Sequence, residues 1–149
     1  MKFKVLVGNL LVALGVWGVP TDGTAQVEKL FHQVIVADEA YILNFALKED
    51  YEVVTWSGKT ILVEGLIRLD CCDQVMLSHI VKTGRYALTL ENSADVVSVS
   101  SKNFPPLTIK GLQCKEQVKF KISVPENYEM VSKGQFYLKD SPVLEAKKQ

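Results

Sequence analysis

The stretch Tyr51–Leu69, YEVVTWSGKTILVEGLIRL, constrains this chain more than any other. Two runs of β-forming residues meet there at Ser57-Gly58-Lys59. In the second run Ile61, Val63, Ile67 and Leu69 fall on one side and Thr60, Leu62, Glu64, Leu66 and Arg68 on the other. Strand side chains alternate faces, so the first set is the predicted core face. Gly65 interrupts that face and marks either a bulge or a close approach by another backbone. The simplest reading is a hairpin, its register left open between a two- and a three-residue loop. Trp56 and Tyr51 flank it.

The long strand runs into a change of period. Cys72, Met76 and Ile80 recur every four residues, and Leu77 and Val81 widen the stripe. That spacing predicts an amphipathic helix over about 73–83. Asp70 or Asp73 is its predicted cap, His79 and Lys82 suit its last turns, and Gly84 suits its C′ position.

Elsewhere the pattern is strand and turn. Gln26–Leu30 reads as a lead-in, Phe31–Val36 and Tyr41–Leu47 as strands, and Arg85–Glu91 as another that turns at Asn92-Ser93 into Val96–Ser101. Asn103-Phe104-Pro105-Pro106 breaks the chain, because proline supplies no ladder donor. Leu107–Ile109 is a short strand, and Gln117–Val124 alternates most cleanly, with Val118, Phe120, Ile122 and Val124 inward. Lys115, Lys119 and Lys121 solubilise a sheet face and guard an edge. Tyr128–Leu138 holds one weak strand. The predicted fold is mainly β, an antiparallel sandwich or short solenoid-like stack with one packed helix. It is one domain over 26–138, followed by a polar, disordered tail over 139–149.

The first 25 residues have a different composition. Lys2 and Lys4 precede an apolar run from Val5 to Val19, Pro20 breaks it, and Gly23-Thr24-Ala25 offers small residues for cleavage. That order of parts is a signal peptide. The alternative is a membrane anchor, but about 15 apolar residues fall short of the roughly 20 a span needs. The expectation is therefore an exported protein, periplasmic or at the cell surface, with no membrane span once the leader is cleaved. Formal charge is zero, which leaves no basic field for nucleic acid.

Three cysteines in an exported chain raise the prospect of a disulfide. Cys71 or Cys72 could join Cys114, tying the helix start to the loop before Gln117–Val124; a vicinal Cys71–Cys72 bond and free thiols are the alternatives. Cys72 lies on the apolar stripe, so Cys71 is the more accessible partner. No metal or other cofactor is expected: Cys72 and His79 are about 10 Å apart along a helix, His32 is remote, and ligand spacings such as CxxC are absent. Ser78 and His79 are adjacent on a helix and face different ways, so they make no nucleophile–base pair. Ser57, the Asp70/Asp73 pair and the isolated Gly84 and Gly111 have plain turn or capping roles. An enzyme is therefore not expected, although a hydrolase with a loop-borne site is a remaining alternative. Trp56 and Tyr51 are the candidate binding residues, against their ordinary role of packing a hairpin.

The run Tyr51–Glu64, Y-E-V-V-T-W-S-G-K-T-I-L-V-E, resembles the V-x-x-W-x-G-x-x-V-x-V-E opening of bacterial adhesin-type domains with β-solenoid heads. The later run Val118–Asn127, V-K-F-K-I-S-V-P-E-N, is similar to the I-x-V-P-x-N strand that leads into their repetitive rungs. Only Tyr128–Leu138 follows here, enough for about one rung, so the resemblance is to the entry module. It implies an exported, non-enzymatic envelope protein with a structural or interaction role and no catalytic residues to carry over. Expected partners are another envelope protein or a surface glycan. The rival reading is a small periplasmic module gripping a lipid or glycan between sheet and helix.

Overall fold

A computed structural model describes residues 26–38 and 40–149. The leader expected over 1–25 lies outside the described residues. In chain order the elements are β1 Val27–Ile35, β2 Ile42–Ala46, β3 Asp50–Trp56, β4 Ile61–Leu69, α1 Gln74–Lys82, β5 Thr89–Ser93 and β6 Val96–Ser100. They continue with β7 Thr108–Ile109, β8 Leu112–Gln113, β9 Glu116–Pro125, β10 Tyr128–Ser132, β11 Gln135–Leu138 and α2 Pro142–Lys148. One sheet has the order β1-β4-β9-β3, a second β10-β11-β2-β6-β5, and β7 and β8 form a small ribbon. The fold is mainly β and sandwich-like, as the alternation predicts. Each main sheet is mixed, because β3 runs parallel to β9 and β2 parallel to β6.

The expected hairpin does not exist. β9 inserts between β3 and β4, antiparallel to β4 over Leu62–Leu69 and parallel to β3 over Asp50–Trp56. Residues 57–60 therefore cross the end of β9, spanning two strand spacings of about 4.8 Å each, more than a tight hairpin turn covers. Trp56 holds this arch: its Nε1 donates to the Thr60 carbonyl at 2.9 Å. Its own carbonyl accepts from the Glu126 N–H at 3.0 Å. A side chain at Gly58 would overlap the indole, which explains the glycine.

The predicted core face of β4 is correct. Ile61, Val63, Ile67 and Leu69 have no exposed surface. Gly65 marks neither a bulge nor a backbone approach: the β1–β4 register is continuous and pairs Phe31 with Gly65. The Phe31 ring fills the place a Cβ would take and meets Phe120 edge-on, centroids 6.2 Å apart.

Buried residues form two clusters. The larger lies between the main sheets around Leu43, Phe45, Ile61, Val63, Val99, Phe120 and Ile122. The smaller gathers Ile67, Leu69, Leu77, Ile80 and Tyr86 beneath α1. Asp73 is the cap, accepting from the Met76 N–H at 2.8 Å, and Gly84 takes positive φ beyond the helix. The buried stripe is narrower than predicted: Leu77 and Ile80 are covered, Met76 is 41% exposed, and Cys72 precedes the first turn.

Five assignments move for reasons outside the local pattern. β1 starts at Val27, four residues earlier than expected, because the far half of β4 needs a partner. β5 starts at Thr89, since Arg85 and Tyr86 turn toward Glu116 instead of extending. Its turn falls at Ala94-Asp95, with Ala94 at φ 46°, not at Asn92-Ser93. Tyr128–Leu138 is a two-stranded hairpin. Within the stretch expected as a disordered tail, Pro142–Lys148 forms α2. Ser141 caps it, Pro142 opens it, and Leu144 is buried.

Gln33, on the more buried face of β1, exchanges two hydrogen bonds with the Leu88 main chain, at 3.1 and 2.9 Å. Gln74 donates to the Glu28 carbonyl at 3.0 Å and so takes up one acceptor of the edge strand β1. Lys119 and Lys121 lie on β9, an interior strand, so they line a sheet face and guard no edge.

Candidate binding cleft

The chain has only two arginines, and each faces a glutamate. Arg68 pairs with Glu28 at the surface, 2.9 Å apart. Arg85 is mostly covered and holds Glu116 in a two-toothed grip, Nε to Oε1 at 2.9 Å and Nη2 to Oε2 at 3.1 Å. The turn after α1 brings Arg85 here, and Glu116 is the first residue of β9. Tyr86 donates to Oε1 at 2.8 Å, and the Leu107 N–H donates to Oε2 at 3.2 Å. Arg85 also donates to the Pro105 carbonyl at 2.7 Å, which anchors the proline break.

This network sets its own ionisation. Burial pushes the Glu116 carboxyl upward, but hydrogen bonds from Arg85, Tyr86 and the Leu107 N–H outweigh it and hold it below the usual range. Hydrogen bonding to Glu116 raises Arg85. Burial, reinforced by the hydrogen bond to Glu116, raises the Tyr86 phenol well above its ordinary value. All three groups therefore hold one protonation state near neutrality, as fits a scaffold.

Beside the network opens a cleft of about 660 Å³. Its walls come from the β2–β3 turn, the strand start at Glu116, the turn after α1, and the segment leaving β6. Phe104, 49% exposed, covers the Arg85 guanidinium at 5.2 Å from the ring centroid. Lys48, Lys102 and Lys119 stand around the opening, with Glu49 and Asp50 among them. Lys102 is tied to the Gly84 carbonyl at 2.9 Å, and Glu49 to the Ser101 hydroxyl.

A second hollow, about 550 Å³, lies on the outer face of the first sheet. Asp50 and Lys119 line both, so the hollow adjoins the cleft. Sheet register explains its lining: Leu66, Lys119 and Asp50 are neighbours across β4, β9 and β3, as are Glu64, Lys121 and Glu52 one row along. His32 extends the second row, with Nε2 3.4 Å from Glu64.

The sequence-predicted binding pair is separated. Tyr51 belongs to the strand floor of the hollow, but its ring packs against the larger core cluster. Trp56 lies at the other end of β3, its indole engaged with its own arch. Arg85, Tyr86, Phe104 and Glu116 were not singled out, because 31 residues separate Arg85 from Glu116. The one local signal was the arginine itself, the side chain suited to gripping a carboxylate with two donors. The cysteines resolve the open choice: Cys71 bonds Cys114, Cα atoms 5.2 Å apart, and Cys72 is free. Burial, then the charges of Asp73 and Asp70, raise the Cys72 thiol. Among the described residues no three His, Cys, Asp or Glu side chains gather as a metal site.

Fold and cleft define a disulfide-clamped, sandwich-like β domain with an open groove on one sheet. No family model, curated protein or solved structure matches the chain.

Proposed function

We propose that this chain is an exported, non-catalytic domain of the cell envelope with an adhesin-like structural or interaction role. The observation that carries this reading is the Cys71–Cys114 bridge, 43 residues apart in sequence. Such bonds persist in oxidising compartments and are reduced in the cytosol. The signal-peptide pattern of Met1–Ala25 points the same way. The rival, a small glycan- or lipid-binding module, draws support from the groove. The space between the first sheet and α1 is filled by Ile67, Leu69, Leu77 and Ile80, so this rival relies on the groove instead.

Fractionation of a Gram-negative host with thiol trapping tests the reading. A maleimide-polymer label added under denaturing conditions should attach once without reduction and three times after it, on protein from outside the cytoplasm. Cytoplasmic protein carrying three reactive thiols would sink the proposal.

A further inference from the structure

The cleft and the adjoining hollow set an exposed aromatic ring beside a floor of mixed charged and apolar side chains, which narrows the chemistry of the occupant. Charge is the first discriminator. Counting both hollows together, five cationic side chains (Lys48, Arg85, Lys102, Lys119, Lys121) face five anionic ones (Glu49, Asp50, Glu52, Glu64, Glu116). A balanced lining creates no field to gather a polyanion or a polycation. Lipid chains need an enclosed apolar wall, whereas charged side chains stand among the apolar ones in both hollows. An extended peptide docks by adding a strand to an open edge. The edge strand β3 lines part of both hollows, but the exposed Phe104 ring and the Lys119 and Lys121 side chains lie off that edge.

We infer that the cleft and outer groove together bind a neutral oligosaccharide, with Phe104 as its stacking platform and the Lys119–Asp50 row as partners for its hydroxyl groups. Three observations converge on this. Phe104 presents half its surface to solvent while its ring covers Arg85, which Glu116 holds in place, so the platform is backed by a fixed support. Lys119 and Asp50 are cross-strand partners shared by both hollows. They offer a donor and an acceptor at the point an extended ligand must cross. The volumes, about 660 and 550 Å³, each fall within the usual range for ligand sites, and their adjacency suits a chain over a single ring. The assignment rests on the interaction role proposed above and names its ligand class.

Calorimetric titration of the oxidised chain decides it. The probes are neutral hexasaccharides (β-1,4-glucan, xylan, α-1,4-glucan and β-1,4-linked N-acetylglucosamine), with polygalacturonate and heparin hexamers as charged counterparts. At least one neutral hexamer should bind, and Phe104→Ala should weaken it about tenfold or more, the scale of one lost ring contact. Phe104→Trp should retain binding, and Lys119→Ala should weaken it several-fold, with melting temperatures unchanged in all three variants. Binding of charged hexamers alone, of no hexamer, or with affinity untouched by Phe104→Ala and Lys119→Ala overturns the inference. That failure alone leaves the envelope role standing. Cytoplasmic protein with three free thiols would overturn the envelope role whatever the titration shows.

Discussion

The two hydrophobic clusters are built by different means. Among the described residues, the one between the sheets gathers fifteen buried residues from both layers, whereas the one beneath α1 has five. Around the smaller cluster stand the Cys71–Cys114 bridge, the Arg85–Glu116–Tyr86 network, the Asp73 cap, and a hydrogen bond from the Lys115 N–H to Asp70 at 2.8 Å. The difference teaches where cross-links are worth most. Apolar burial scales with area, so a small cluster is held shut by covalent and polar ties that a larger one can do without.

Breaking the bridge is the sharpest way to separate the two regions. Cys71→Ala with Cys114→Ala should cost about 3–4 kcal/mol in the chain-entropy picture. Hydrogen exchange should then show α1 and the β7–β8 ribbon opening well before β4 and β9. Equal loss of protection in both regions would show that the clusters open as one unit. Ile122→Ala, in the larger cluster, should cost a similar 2–5 kcal/mol but lower protection throughout both sheets.

Next in size is Glu116→Ala, which leaves the Arg85 charge largely covered and unpaired. We expect a loss of about 2–4 kcal/mol by denaturant titration. The pH dependence has a fixed sign. The Glu116 carboxyl is lower in the folded than in the unfolded chain, so its contribution is present above the unfolded value near 4.3 and is lost as pH falls through the folded value. The raised Tyr86 phenol acts at the opposite end. Its proton is held more tightly in the folded state, so stability falls as pH rises beyond the unfolded value near 10. Glu116→Gln should flatten the acid limb; an unchanged limb would remove Glu116 from the smaller cluster's supports.

Gly65→Ala tests the larger cluster from within. The new methyl must displace the Phe31 ring, at about 1–3 kcal/mol of overpacking, and adding Phe31→Leu should recover part of the loss. Asp73→Ala should cost about 1 kcal/mol through the lost helix cap, read as earlier fraying of α1. Smallest of all, Glu64→Gln removes an exposed partner of His32 and should move stability by less than about 1 kcal/mol. A larger effect would mean that the outer face is structural, not free to bind.

Much of the fold was legible because strand and helix periods are local properties. Alternation along β4 and β9 identified Ile61, Val63, Ile67, Phe120 and Ile122 as core, and the period change after Leu69 located α1 with Asp70 or Asp73 as its cap. The two weaker readings had physical causes. Tyr128–Leu138 hides two strands because five- and four-residue runs carry little periodic signal. Pro142–Lys148 is polar apart from Val143, Leu144 and Ala146, and buries only one large side chain.

The sequence by itself determined which side of β4 and β9 is apolar and that a helix follows the period change after Leu69. Only the tertiary structure decided that β9 separates β3 from β4, that Cys71 and not Cys72 forms the bridge, and that Arg85 meets Glu116 beside Phe104. A period of two says which face a residue occupies and nothing about which strand lies alongside. Strand order is chosen by packing among residues far apart in the chain, and the groove exists only where that packing brings four separate segments together.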